Sequence, residues 1–297
     1  VKTILLTGKT GQVGHELVTA LAPLGRVIAV GRDRLDLTQP DSIVRCVRDT
    51  VPDIIVNAAG YTSVDGAESE ADLARQVNAI APGILAEEAK RAGALLVHYS
   101  TDYVYDGSKE DIYLENDTPN PVNVYGHSKL EGERNIEASG CHYLIFRTSW
   151  LYADRGSNFL RTILKLAREE PELRVVSDQI GSPTWARVLA EATASALLAP
   201  DVSSKVGLYH LSAGGHTSRY DFANEIIRLA AEITGIRSGW AKISPCTTDE
   251  FPRPAARPLN VATSKKLFLL AFGATLTPWE QQLNNCLRTI RWEHVLT

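Results

Sequence analysis

No pair of cysteines in this chain falls at the C-x-x-C spacing. Its four, Cys46, Cys141, Cys246 and Cys286, are scattered, which argues against a zinc-ligand cluster or a disulfide frame and fits reduced thiols in a cytoplasm. Nor does any apolar run approach the roughly 20 residues of a membrane helix. The opening Val1-Lys2-Thr3 leads directly into a strand pattern rather than a signal peptide, so the expectation is a soluble cytoplasmic protein with no membrane partner. Positive charge is short as well. Against 35 Asp and Glu stand 31 Lys and Arg, a net charge of -4, which argues against a nucleic-acid partner. Methionine is missing altogether, for which the residues offer no reason, and neither an internal repeat nor a low-complexity tract is found. What is present, 297 residues of which 44% are hydrophobic, is enough to bury a large core in one elaborated domain or two.

The first half alternates short apolar runs with helical patterns. Strands are predicted at 3–7, 26–30, 53–57, 94–99 and 143–147, with helices at 11–22, 40–50, 68–92 and 123–139 between them. Continuous apolar strands separated by helices imply an α/β fold, a Rossmann-like doubly wound parallel sheet covered on both faces. Ligands of such sheets bind beyond the carboxyl ends of the strands, and the informative residues fall there: Gly8, Arg32, Asn57-Ala58-Ala59-Gly60 and Ser100-Thr101-Asp102. From residue 151 the pattern loosens into helices at 158–169, 184–198 and 218–234. The expected division is a dinucleotide-binding domain over 1–150 and a smaller, mainly helical substrate-binding lobe over 151–297, some of whose segments return to the sheet.

Gly8-Lys9-Thr10-Gly11-Gln12-Val13-Gly14 lies between the first strand and the first helix. A phosphate-binding P-loop is rejected, because it needs a glycine five residues before Gly8 and finds Thr3. Glycines at first, fourth and seventh positions are instead a variant of the dinucleotide fingerprint: a tight turn, a backbone close enough to touch pyrophosphate, and free amides at a helix N-terminus. The second strand ends Val30-Gly31-Arg32, with Asp33 directly after. An arginine at that junction accommodates the extra phosphate of NADPH, where a carboxylate would grip the ribose of NADH. Lys9 adds a second positive charge, and Asp36-Leu37 is placed to meet adenine.

Tyr125 and Lys129 stand four apart in a stretch that reads as a helix, so they share a face. Phenol is a weak acid, with an ordinary pKa of about 10. A fixed ammonium is expected to lower it toward the range where acid–base catalysis is efficient. Tyr105 and Lys109 repeat the spacing, but Asp106-Gly107-Ser108 between them reads as a turn, which leaves no common helical face.

Gly8 to Gly14, Asp53 to Ala59, Val97 to Tyr105, Asn123-Val124-Tyr125-Gly126, Phe146-Arg147-Thr148-Ser149-Trp150, Asp178 to Thr184 and Arg257-Pro258 together resemble the extended short-chain dehydrogenase/reductase family, and within it the reductases of nucleotide sugars. The resemblance implies reduction of the C4 ketone of dTDP-4-dehydro-L-rhamnose in the synthesis of a cell-wall sugar. It implies Thr101 positioning the carbonyl, Tyr125 donating the proton and Lys129 holding the nicotinamide ribose. NADPH is the expected cofactor, with NADH also accepted, seated by residues 8–14, Arg32, Asp36, Leu37, Ala58, Ala59, Tyr61, Tyr125 and Lys129. Thr101, Asp102, Tyr103, Tyr105, Trp150 and Arg257 are the expected substrate contacts, the aromatics reading equally well as core.

Relatives that dehydrate their sugars carry Asp-Glu after the fourth strand, where this chain has Asp102-Tyr103, which argues for simple carbonyl reduction. The alternatives are an epimerase or dehydratase acting on another nucleotide sugar, and a non-catalytic NADP-binding subunit like that of methionine adenosyltransferase. Some members hold magnesium near a dimer interface through glutamates. Glu16 matches one such position, but Arg187 stands where another acid is expected and Glu191 would serve only if the alignment shifts, so no metal ligand is assigned, magnesium is left open and the homodimer is carried only as an expectation.

Overall fold

Each of the five apolar runs forms a strand: β1 (Lys2–Thr7), β2 (Gly25–Val30), β3 (Ile54–Asn57), β4 (Leu95–Thr101) and β5 (His142–Thr148). The computed structural model, which describes residues 1–293, adds β6 (Gly207–His210). All six pair in parallel in the order β2-β1-β3-β4-β5-β6. Parallel neighbours need crossovers, supplied by α1 (Gln12–Leu21), α2 (Pro40–Thr50), α3 (Ala81–Ala92) and α4 (Val124–Ser139). Side chains alternate across the sheet, and the continuous apolar runs therefore feed two cores. Ile4, Leu6, Val56, Leu144 and Phe146 pack with α1 and a helix at Ala186–Leu198, while Leu5, Ile55, Leu96 and Ile145 pack with α2, α3 and α4. Strand order reverses between β1 and β3, which opens a crevice at their carboxyl ends, the usual ligand position in such sheets.

The single helix expected over 68–92 is broken into Val64–Ala67, Ala71–Arg75, a π-helical turn at Gln76–Ile80, and α3. Pro82 is the physical reason for the last break, since it has no N–H to give to the carbonyl four residues earlier. That carbonyl, on Asn78, is met by α4 at Gly132, where a Cβ would come within 2.1 Å of it. Asn135 Nδ2 then takes the next one, on Ala79, at 3.1 Å.

The half from residue 151 onward carries its own core. Leu160, Ile163, Phe222, Ile226, Trp279 and Leu283 meet there, drawn from helices at Phe159–Glu169, Arg219–Thr234 and Trp279–Leu287. A parallel pair, Glu172–Val176 with Lys242–Cys246, and the helices Lys266–Phe272 and Trp279–Leu287 were not expected from the sequence. No described helix is long and apolar enough to cross a membrane.

Candidate active site

The glycine turn is built by close approach of backbone to backbone. Gly8 has φ +74° and lies where a Cβ would come within 2.8 Å of the Ala58 carbonyl at the end of β3, while a Cβ on Gly14 would lie 2.0 Å from Gly8 O. Neither position admits a side chain. The turn closes with Gly11 N donating to Gly8 O at 2.9 Å, and the first amides of α1 open onto a cavity of about 540 Å³. Gly8, Thr10, Gly11, Gln12, Val13, Arg32, Asp36, Leu37, Ala58, Ala59 and Tyr61 line it. Gly14 serves underneath, in packing. The Lys9 side chain runs across Gly31, its Cε 3.3 Å from where a Cβ would stand, at the Arg32 rim. Arg32 is 75% exposed, with one long contact to Asp36, 3.3 Å from Nε, and Asp36 is turned back on Thr38 through bonds of 2.9 and 2.8 Å.

A second cavity, about 340 Å³, shares Gln12, Val13, Ala58, Ala59 and Gly60 with the first and is also lined by Thr101, Asp102, Tyr103, Tyr125, Lys129 and Trp150. Asn123 starts α4, its side chain accepting from Gly126 N at 2.8 Å and donating to Ala256 O at 2.8 Å. Gly126 then lets the helix rest against the Tyr103 carbonyl, where a Cβ would come to 2.2 Å. This places Tyr125 against the Thr101 hydroxyl and edge-on to Tyr103, ring centroids 6.1 Å apart. Burial pushes the Tyr125 phenol up, with Thr101 pulling it partly back. The lowering expected from Lys129 is not found. Its Nζ is turned to Tyr99 O at 2.5 Å and His98 Nε2 at 3.2 Å, and burial draws the amine itself down to about 8, Glu133 resisting.

Asp102 is the other buried group at this cleft. Burial raises its carboxyl to about 7, against hydrogen bonds from Ser149 Oγ at 2.5 Å and Thr101 Oγ1 at 3.2 Å. Trp150 sits at φ +42°, a conformation that costs a non-glycine residue about 1–3 kcal/mol and is found mainly at functional sites. Its ring lies on Gly181, where a Cβ would meet it at 2.4 Å, and under the Arg219 guanidinium at 3.7 Å. Arg219 was missed in the sequence because a lone arginine opening a helix carries no pattern. It also lines a neighbouring cavity of about 840 Å³ together with Arg257, whose Nη2 is 2.9 Å from Asp65. Tyr105 is a correction. It is fully buried, stacked on Tyr113 with centroids 4.1 Å apart and bonded to Arg147 and His210 at 2.7 Å each, so it supports the core rather than walling a sugar.

Glu16 is engaged in an ion pair within the chain. Its Oε2 is committed to Arg187 Nε at 2.9 Å, and that guanidinium lies over the Trp185 ring at 4.6 Å. Oε1 has no hydrogen-bond partner among the described residues, and Asp154 and Glu191 also act on the Arg187 guanidinium. No group of three or more potential ligands occurs among the described residues.

Residues 2–292 match the family model of the RmlD substrate binding domain. Over 293 residues the chain is 44% identical to the dTDP-4-dehydrorhamnose reductase of Burkholderia thailandensis, covering 97% of this chain and 98% of that one. Among crystal structures, a dTDP-4-dehydrorhamnose reductase from Clostridium acetobutylicum superposes with a TM-score of 0.89 at 38% identity, covering 96% of this chain and 98% of that one. The Bacillus anthracis reductase, solved in complex with NADP, gives 0.88 at 35%, covering 97% and 99%.

Proposed function

The chain belongs to the RmlD substrate binding domain family, and from that premise we propose that it reduces the C4 ketone of dTDP-4-dehydro-L-rhamnose to dTDP-L-rhamnose with NADPH. One observation carries the reading. The cavity lined by Thr101, Tyr125 and Lys129 shares its wall with the cavity behind the glycine turn, so a dinucleotide held at the turn would have its site adjoining the one that would take the ketone. The tight glycine turn, whose backbone contacts admit no side chain at Gly8 or Gly14, and the first amides of α1 fit a pyrophosphate. When bound, the cofactor supplies the hydride.

The chain's own residues supply the rest. Thr101 orients the carbonyl oxygen beside the Tyr125 phenol. Tyr125 transfers its proton to that oxygen as negative charge develops on it, and the resulting phenolate takes a proton back from solvent. Lys129 holds the cofactor ribose and has the further task of favouring the phenolate formed in turnover, although in the resting site its Nζ faces Tyr99 O and His98 Nε2 and does not lower the phenol. Trp150, Arg219 and Arg257 bind the nucleotide side of the substrate. In this reading residues 1–150 hold the cofactor and the half from 151 holds the sugar nucleotide. Tyr103 following Asp102 leaves no second carboxylate for water elimination, which favours reduction over dehydration.

The test is direct. The protein, NADPH and enzymatically generated dTDP-4-dehydro-L-rhamnose are mixed, and absorbance of the reduced nicotinamide is followed with other 4-keto nucleotide sugars in parallel. No oxidation with the rhamnose precursor would end the proposal. Cofactor choice gives a second expectation: kcat/KM favours NADPH, and Arg32→Ala shrinks that preference through a higher KM for NADPH, with little change for NADH. An unaltered ratio in the variant would take Arg32 out of the site.

A further inference from the structure

Lys129 is a buried cation whose hydrogen bonds can be counted. An ammonium has three donors and no acceptor. Tyr99 O takes one and His98 Nε2 faces another, which leaves the third for the cleft that Lys129 lines. His98 is 1% exposed and takes no part in the chemistry above. Burial, and then the Lys129 charge, hold its ring well below the usual imidazole range. A neutral ring has one N–H and one bare nitrogen. Which is which decides whether Lys129 has a partner.

His98 Nδ1 lies 3.0 Å from Asn57 Nδ2. Asn57 Oδ1 accepts from Thr7 Oγ1 at 2.7 Å, and Thr7 Oγ1 in turn accepts from Ala59 N at 3.3 Å. Two bond patterns satisfy this row, because the ends of an amide are alike in shape and hydrogen bonding alone assigns them. In one, the amide oxygen faces His98 and accepts from Nδ1–H, the amide N–H goes to Thr7, and the bare Nε2 accepts from an ammonium on Lys129. The other, with every bond reversed, has the amide as the structure orients it, and the first requires it turned end for end. Thr7 donates to the amide oxygen, the amide N–H goes to bare Nδ1, and Nε2–H points at Lys129, which must then be a neutral amine.

We propose that His98, oriented by Asn57 and Thr7, is a positioning residue that keeps Lys129 charged and directed into the cleft by accepting one of its hydrogen bonds at Nε2. The proposal rests on the role given to Lys129 above. The titratable and charged groups packed around that amine are His98 and Tyr99 from β4, Tyr125 and Glu133 from α4, and Arg147 from β5, which pairs with Glu133 at 2.6 Å. Burial works against the charge and Glu133 is already shared, so the His98 acceptor has a large share in holding it. The ammonium is populated below about pH 8 and lost above it. Removing an acceptor disfavours the charged form, which moves the basic limb of the rate profile to lower pH.

The ring tautomer is read by ¹⁵N NMR of the intact protein at pH 7, the His98 signals being those that vanish in His98→Gln. A neutral ring protonated at Nδ1 is expected; a ring protonated at Nε2, or a cationic one, overturns the proposal. In kinetics, His98→Leu is expected to move the basic limb of kcat/KM down by about one unit and to raise the NADPH KM roughly tenfold, as loss of a hydrogen bond to a charged group does. His98→Gln, whose carbonyl oxygen can stand where Nε2 stood, keeps the limb near its original place. A folded His98→Leu with an unchanged limb and KM overturns the proposal. Should His98→Leu not fold, the tautomer decides alone. The tautomer does not depend on turnover, so a wrong substrate assignment would show as a silent reduction assay beside an intact Nδ1–H ring.

Discussion

Tyr125→Phe is expected to lower kcat with the ketosugar by about 10²- to 10⁴-fold, the usual worth of positioned proton transfer, while NADPH binds nearly as before. The variant removes one oxygen and keeps the ring. Its edge contact with Tyr103 and its place in the first turn of α4 are retained, so the loss reads the proton and little else. Burial pushes this phenol up, which makes it a loaded acid at neutral pH: the proton stays on until the carbonyl oxygen becomes a stronger base. Lys129→Ala should differ in kind, weakening both turnover and NADPH binding, because the amine is assigned two tasks. Steady-state rates together with NADPH affinity from fluorescence separate the two variants. Near wild-type turnover in Tyr125→Phe would mean that another group is the acid.

The strand edge was legible because parallel strands buried on both faces must be continuously apolar, and Ile4-Leu5-Leu6 and Ile54-Ile55-Val56 are. Tyr125 and Lys129 were legible because their spacing falls in a stretch that reads as a helix, where the equally spaced Tyr105 and Lys109 are split by a turn. Other features were not. β6 is four residues, Gly207-Leu208-Tyr209-His210, too short to rise above loop without the neighbouring β5 that pairs it. Tyr105 shares the aromatic character of Tyr103 two positions earlier, yet a 3-10 turn at Asp102–Val104 sends it into the core, and no periodicity foretells a turn of three residues. The direction of the Tyr125 shift was also misread, since the spacing of two residues says nothing of where the Lys129 amine finds acceptors. In this fold it finds them on β4.

The second large effect concerns stability, and it lies in the ion pair beneath the site. Arg147 and Glu133 are 4% and 2% exposed at their side chains, joined by bonds of 2.9 and 2.6 Å. Ser100 donates to Glu133, and Arg147 also donates to the Tyr105 hydroxyl at 2.7 Å, so the pair ties α4 to β4 and β5 one helical turn from Lys129. Burial alone would pull the Arg147 guanidinium down; Glu133 outweighs it and holds it charged. Removing one partner leaves the other buried and unpaired, a loss of typically about 3–5 kcal/mol. Arg147→Met or Glu133→Leu should therefore lower the urea midpoint markedly. Removing both charges is a different matter, because the desolvation cost disappears with the attraction, and apolar replacement of a buried pair is often neutral or better. Arg147→Met with Glu133→Leu is thus expected to be more stable than either single variant, with Tyr105 still donating to Leu114 O. If the two single losses simply add in the double variant, the pair is not acting as a unit and its burial, rather than its mutual charge, sets the cost.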